Sequence, residues 1–245
     1  MGCETLAFAG KGDVYIGKYG QKLVKAGNVG PLEIEVSSDE KTMMDYTDTG
    51  GGYTDVIERI TGVKGNGTFF NFSKENLAIA LRGTASAIAS GSVVDEVKIA
   101  TVFYGLIELD KIPVVSSIVV KDSTGATTYV LGVDYLVDRL GIILIEGVTI
   151  AADDVLKVSY DSLAFDNVEA LTAGNAVYTV LVSGVNEAND DSPVSVLFHK
   201  VKFSPASKFG IITDDFASLE MSFKVLCDSS IITPGKSKFF RINKV

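Results

Sequence analysis

The side chains able to do chemistry are few. The chain has one histidine, His199, two cysteines, Cys3 and Cys227, and no tryptophan. Metal clusters and histidine relays draw on several such side chains. His199 alternates with Leu197, Val201 and Phe203, so it is expected on the core-facing side of a strand as a hydrogen-bonded histidine. Ser195 would share that face. A hydrolase needs a sharply turned nucleophile and an oxyanion pocket, and the sequence contains no Gly-x-Ser-x-Gly elbow. Gly235-Lys236-Ser237 matches the end of a phosphate-binding loop. However, Ser230 stands where the first glycine belongs, and the eight residues after Ser237 leave no room for the helix that would hold the phosphate. Gly50–Gly52 has no helical pattern or suitably spaced lysine after it, so it reads as backbone freedom rather than a phosphate nest. The acid pairs Asp153-Asp154, Asp190-Asp191 and Asp214-Asp215 fall in turn-like segments, where Asp serves the local backbone, and no EF-hand spacing occurs. The expectation is a protein that is not an enzyme, with no cofactor and no metal.

Charge and composition narrow the class. Against 31 Asp+Glu stand 22 Lys+Arg, a formal net charge of −9. That excludes ordinary electrostatic binding to nucleic acid, which needs clustered cations on the phosphates. At 47% hydrophobic and 22% charged the composition is globular. Two cysteines near opposite ends are no disulfide framework, and a reducing compartment fits. No apolar run approaches the roughly 20 residues of a bilayer span, and no signal peptide is recognisable. Leu6 occupies the position where an N-myristoylation signal wants Ser or Thr.

The elements that must position any site are mostly strands. In LEIEVSS, Leu32, Ile34 and Val36 share one face, and Glu33, Glu35 and Ser37 the other. DVIERITGVKG alternates less cleanly, and NGTFFNF reads as a further strand after an Asn66-Gly67 turn signal. The segment around Asp39 to Tyr53 is rich in turn formers and acids, and it reads as a loop longer than hairpins ordinarily have, functional or mobile. Ser73 is a good N-cap for KENLAIALR, whose Leu77, Ala80 and Leu81 fall on one helical face before Gly83 ends it. The middle third is nearly pure β, and residues 113–161 read as a compact module inserted in a parent domain of 1–112 and 162–245. In SLEMSFKVL, Leu219, Met221, Phe223 and Val225 form a dry face. No fixed repeat appears. The fold class is mainly β with one short helix.

Several of these stretches carry a resemblance. GDVYIGKYG, GPLEIEVSS, the glycine-rich loop, VIERITGVKGNGTFFNFSKENLAIALRG, and VSVLFHKVKFSPASKFGIITDDFASLEMSFKVLCD followed by GKSKFFRI together resemble the major tail tube proteins of long-tailed bacteriophages. GVDYLVDRLGIILIEG and DVLKVSYD look like β modules that recur in phage virion proteins. The resemblance implies a β-sandwich or barrel protomer with one short flanking α-helix. Six copies close a ring with a continuous inner β-barrel, and stacked rings form the conduit for DNA ejection. It further implies assembly in the bacterial host cytoplasm and residence in the virion tail. The implied partners are the protein itself, a tape measure protein, a tail terminator and distal tail proteins. Viral DNA would be passing cargo that is not held, and no membrane is involved. The tube of a contractile tail or related injection machine is the near alternative; a β-sandwich adhesin or carbohydrate-binding module is the distant one.

On that reading Glu33, Glu35 and Glu58 are candidates for the lumen, although period two alone leaves them equally able to face outer solvent. Six copies at −9 each would carry −54 per ring, an acidic wall that avoids holding phosphates. The long loop, with Asp39, Glu40, Lys41, Met43, Met44, Asp45, Tyr46, Asp48, Gly50, Gly51, Gly52 and Tyr53, is the candidate contact between subunits or rings, ordering when it meets its neighbour.

Overall fold

The computed structural model describes residues 7–47, 49–147 and 149–245. Cys3 and Leu6, with the expectation about lipid attachment, and Asp48 of the expected loop lie outside the described residues. In chain order come β1 (Gly10–Lys18), β2 (Val24–Lys25), β3 (Val29–Met44), β4 (Tyr53–Phe69), α1 (Lys74–Ala80) and β5 (Thr84–Ile88). Next are β6 (Gly91–Ile99), β7 (Leu106–Glu108), β8 (Val119–Asp122), β9 (Tyr135–Val137), β10 (Gly141–Leu144), β11 (Val155–Ser162) and β12 (Phe165–Glu169). β13 (Tyr178–Asn186), β14 (Ser192–Phe203), β15 (Leu219–Leu226) and β16 (Phe240–Lys244) complete the chain. The protein is mainly β, and α1 is the one α-helix among the described residues. No helix among them is long and apolar enough to cross a membrane.

The chain divides into two compact units: residues up to Ala85 with Val168–Val245, and Ser86–Asn167. The second unit is wider at both ends than the 113–161 read from the sequence. β6 pairs with β11 and β7 with β10, so strands before residue 113 complete its sheets.

The first unit is built on one antiparallel sheet in the order β2-β1-β13-β14-β15-β4-β3, with β16 also on β14. The two partners on that edge of β14 follow one another: β15 pairs residues 200–203 and β16 pairs 194–198. Alternation drives this arrangement. Along β15, Leu219, Met221, Phe223 and Val225 are buried while Glu220, Ser222 and Lys224 are exposed. The buried set joins Phe69, Phe198, Phe203, Val14 and Val180 in one core. Phe223 is its hub, with ring centroids 5.8 Å from Phe198 and 5.6 Å from Phe203. Burying such a ring stabilises by about 1.5–3 kcal/mol, and a favourable aromatic pair adds about 0.5–1.5 kcal/mol.

Asn66-Gly67, expected as a turn, lies inside the unbroken β4. Its glycines serve packing instead. A Cβ at Gly65 would collide with the Phe223 ring, and one at Gly67 with the Leu32 side chain.

α1 starts where its sequence signals it. The Ser73 hydroxyl accepts from Asn76 N–H at 3.3 Å, satisfying one of the free N–H groups of the first turn. The buried Asn76 side chain donates to the carbonyls of Ala26 (2.7 Å) and Asn71 (2.8 Å), tying the helix to the segments before β3 and after β4. Ile79 and Ala80 enter the core. At the far end Arg82, not Gly83, takes the left-handed conformation, with φ of 47°.

The second unit has two three-stranded antiparallel sheets, β7-β10-β9 and β6-β11-β8, around a core that includes Val120, Ile142, Leu144, Leu156 and Val158. Glu96 and Lys98 stand opposite the buried Val158 and Leu156, so both point to the core side. They are satisfied there. The Tyr160 hydroxyl donates to Glu96 Oε2 at 2.5 Å and accepts from Lys111 N–H at 3.1 Å, and Lys98 Nζ lies 2.9 Å from Glu96 and 2.8 Å from Asp110. Burial, with the hydrogen bond to Glu96, pushes the Tyr160 phenol up to about 12.

Candidate functional site

One feature that the fold of the first unit leaves uncovered is the β3–β4 hairpin; the loop carrying Ile211, Ile212 and Phe216 is another. β15 pairs with β4 only from Val63 to Phe69. Past that point β3 and β4 continue as a two-stranded ribbon from Ser37/Gly62 to Met44/Tyr53, with no third strand beside it among the described residues. Eight residues at about 3.3 Å each carry it about 25 Å beyond the sheet. It exposes Met43, Met44, Tyr46 (89%), Tyr53, Val56, Ile57 and Ile60 (69%). A two-stranded ribbon with both edges open and this much apolar surface is marginal in water alone and is a template for pairing.

The connection between the strands is residues 45–52, shorter than the loop expected from the sequence. Asp39, Glu40, Lys41, Met43 and Met44 belong to β3, and Tyr53 begins β4. The reason is physical: both faces of the ribbon are open, so polar and apolar residues interleave without the dry side that makes a strand legible. The turn itself is tightly bonded. Asp45 N–H donates to Gly52 O at 2.8 Å, and the Asp45 carboxylate accepts from the Thr47 hydroxyl (2.6 Å) and N–H (2.8 Å), which hold it below the usual carboxylate range. Gly51 and Gly52 adopt φ of 64° and 142°, where backbone freedom is required.

Opposed residues of a ladder share a face, which settles the glutamates. Glu33 stands opposite Asn66, whose amide donates to it at 3.3 Å, and Glu35 stands opposite Lys64. Glu58, expected on the same face, stands opposite Glu40 and so lies on the other one, continuous with Ile34 and Val36. A bulge causes this: the register passes from Ser37–Gly62 to Ser38–Ile60, so Thr61 is an extra residue that reverses the parity of β4.

Nor is the face of Glu33 and Glu35 acidic. Lys202, Lys224 and Lys64 stand side by side on β14, β15 and β4 and meet Glu35 on β3. With Glu33 and Glu220, three glutamates are matched by three lysines across these strands.

His199 is displaced from its expected place by the same kind of irregularity. The β13–β14 register shifts between Tyr178 and Val180, so Phe198 and Val201 take the core positions and His199 is half-buried between them. Its backbone N–H donates to Phe239 O at 3.1 Å, and its backbone carbonyl accepts from the Thr179 hydroxyl at 3.0 Å. It borders an open groove of about 550 Å³ with Ile232, Lys236, Phe240 and Arg241. Ser195 takes a hydrogen bond from Asn243 at 3.3 Å. Gly235 has φ of 79° in the turn before β16, and the Ser237 hydroxyl accepts from the N–H groups of Phe239 (3.2 Å) and Phe240 (3.4 Å). Asp153, Asp190 and Asp191 sit at positive φ in turns. Among the described residues no three His, Cys, Asp or Glu side chains are grouped to hold a metal ion.

One cluster has no signal in the sequence. The buried Asp228 carboxylate lies 2.9 Å from Lys200 Nζ and accepts from the hydroxyls of Tyr19 (2.9 Å) and Ser230 (2.7 Å). Lys200 Nζ also sits 4.5 Å from the Tyr19 ring centroid. Hydrogen bonds from Ser230, then Lys200 and Tyr19, hold Asp228 far below the usual carboxylate range despite its burial. The four side chains fasten the segment after β15 to β14 and to the end of β1.

Fold and surface thus define a two-unit, mainly β protein with a projecting, largely exposed hairpin. The chain belongs to the family described as protein of unknown function UCP028589, whose model matches residues 7–243. No curated protein matches it.

Proposed function

We propose that this chain is a structural protein that assembles with copies of itself, as the tube protomer of a phage tail. Six copies close a ring with a continuous inner β-barrel, and stacked rings form the conduit for DNA ejection in the virion. A tape measure protein, a tail terminator and distal tail proteins are its partners at the ends and along the lumen. The observation that supports this best is the β3–β4 ribbon, about 25 Å of paired but otherwise uncovered strand with exposed Met, Tyr, Val and Ile. Such an edge is a hazard in a monomer, and closure into a ring uses the tendency while ending it.

Glu33 and Glu35, on the polar face, are the lumen candidates that remain consistent with one another. Glu58 belongs to the opposite face, toward the neighbour. A wall whose glutamates are matched by Lys64, Lys202 and Lys224 has no net cationic charge with which to hold passing duplex. Negative-stain microscopy of the purified chain tests the proposal. Six-fold rings or tubes are expected, and monomers at every concentration contradict it.

A further inference from the structure

Charge is distributed unevenly along this chain. After Asp228 there is no acidic side chain, while Lys236, Lys238, Arg241 and Lys244 follow within nine residues of one another. This is a basic segment in a chain of net −9. All four side chains are exposed, and among the described residues none of them forms an ion pair. Residues 39–59 are the reverse: Asp39, Glu40, Asp45, Asp48, Asp55 and Glu58 against Lys41 and Arg59, six acids to two cations, net −4.

The hairpin also holds an electrostatic conflict that its own fold does not relieve. Glu40 and Glu58 are directly opposed on the ladder, both are exposed, and neither has a cation in salt-bridge contact among the described residues. Like charges directly opposed across a ladder are destabilising, and a cation from elsewhere would reverse the sign. The basic segment offers such cations, yet no ion pair or strand pairing joins the two segments within the chain among the described residues. Both surfaces also carry uncovered apolar groups. Ile60 and Tyr46 lie on the hairpin, Ile242 on the basic segment and Ile232 (85% exposed) just before it, and the segment flanks the groove of about 550 Å³ beside Phe240.

We infer that the acidic β3–β4 hairpin of one copy docks on the basic Lys236–Lys244 segment of a second copy, with Lys236 and Arg241 facing Glu40 and Glu58. The contact is heterologous, each copy giving its hairpin to one neighbour and its basic segment to the other, which is the arrangement that closes rings or extends filaments. It rests on the proposed self-assembly and names the surfaces that perform it. Complementary charge makes association salt-dependent.

Sedimentation of the full chain tests it, at low and at physiological salt. The chains compared are the wild type, Lys236→Glu with Arg241→Glu, Glu40→Lys with Glu58→Lys, and all four substitutions together. Each reversal is expected to raise the concentration needed for assembly at least about tenfold, and the fourfold chain to recover most of that loss. Melting temperatures of the monomers separate lost contact from lost fold. Wild-type assembly that neither reversal disturbs overturns this docking and leaves self-assembly standing. A fourfold chain that is folded yet no better than the two reversals also overturns the docking. A wild-type chain that stays monomeric throughout overturns both.

Discussion

Gly65 on β4 stands opposite Phe223 on β15, and the space a Cβ would need there is filled by the phenylalanine ring. Phe223 in turn touches Phe198 and Phe203, so the missing side chain lets three rings close the core of the first unit. Gly65→Ala overpacks this core and is expected to cost about 1–3 kcal/mol, lowering the melting temperature of that unit by several degrees. An unchanged melting temperature would mean that the ring can move aside.

Asp228 gives the first unit an acid dependence. Its folded carboxyl titrates below its unfolded value, so the folded state binds fewer protons as pH falls through the ordinary carboxylate range. The contribution is fully present above that range and is lost as acid protonates the group. Asp228→Asn is expected to lower the melting temperature at neutral pH and to matter progressively less below pH of about 4. A constant difference across that range would contradict the role given to the carboxylate.

Tyr160 acts with the opposite sign in the second unit. Its phenol is pushed up to about 12, so its contribution is complete below the ordinary tyrosine range and is lost as pH rises through 12. An absorbance titration should show one tyrosine ionising last, and Tyr160→Phe should remove that step. The variant should also cost about 1–2 kcal/mol, because Glu96 and the Lys111 amide lose a buried partner. If the last step survives in Tyr160→Phe, the assignment is wrong.

The ribbon can be removed without touching the core. Replacing residues 40–58 by an Asn-Gly turn keeps the Asp39–Arg59 pair as the end of the ladder. The trimmed chain is expected to melt within a few degrees of the full one and to make neither rings nor tubes. Tubes from the trimmed chain would show that the hairpin is not the contact.

How much of this could be read beforehand depended on whether a residue's surroundings were local. SLEMSFKVL and the Ser73-capped helix were legible because one face of each meets a core, and burial then imprints its period on the sequence. The ribbon was hidden because neither of its faces is dry, so Asp39–Met44 read as loop. Asn66-Gly67 read as a turn because the reason for glycine there lies in Leu32, distant in sequence. A single extra residue, Thr61, moved Glu58 to the other face, and no local signal marks such a bulge. Asp228 and Tyr19 are 209 residues apart, and only the fold brings them together.

The proposed tube is built by this chain from copies of itself through an uncovered hairpin. Electron microscopy of the purified 245-residue chain, over a rising concentration series, tests that most directly. Six-fold rings that stack into hollow tubes are the expected result. Particles that stay monomeric, folded and dispersed at the highest concentration would contradict it.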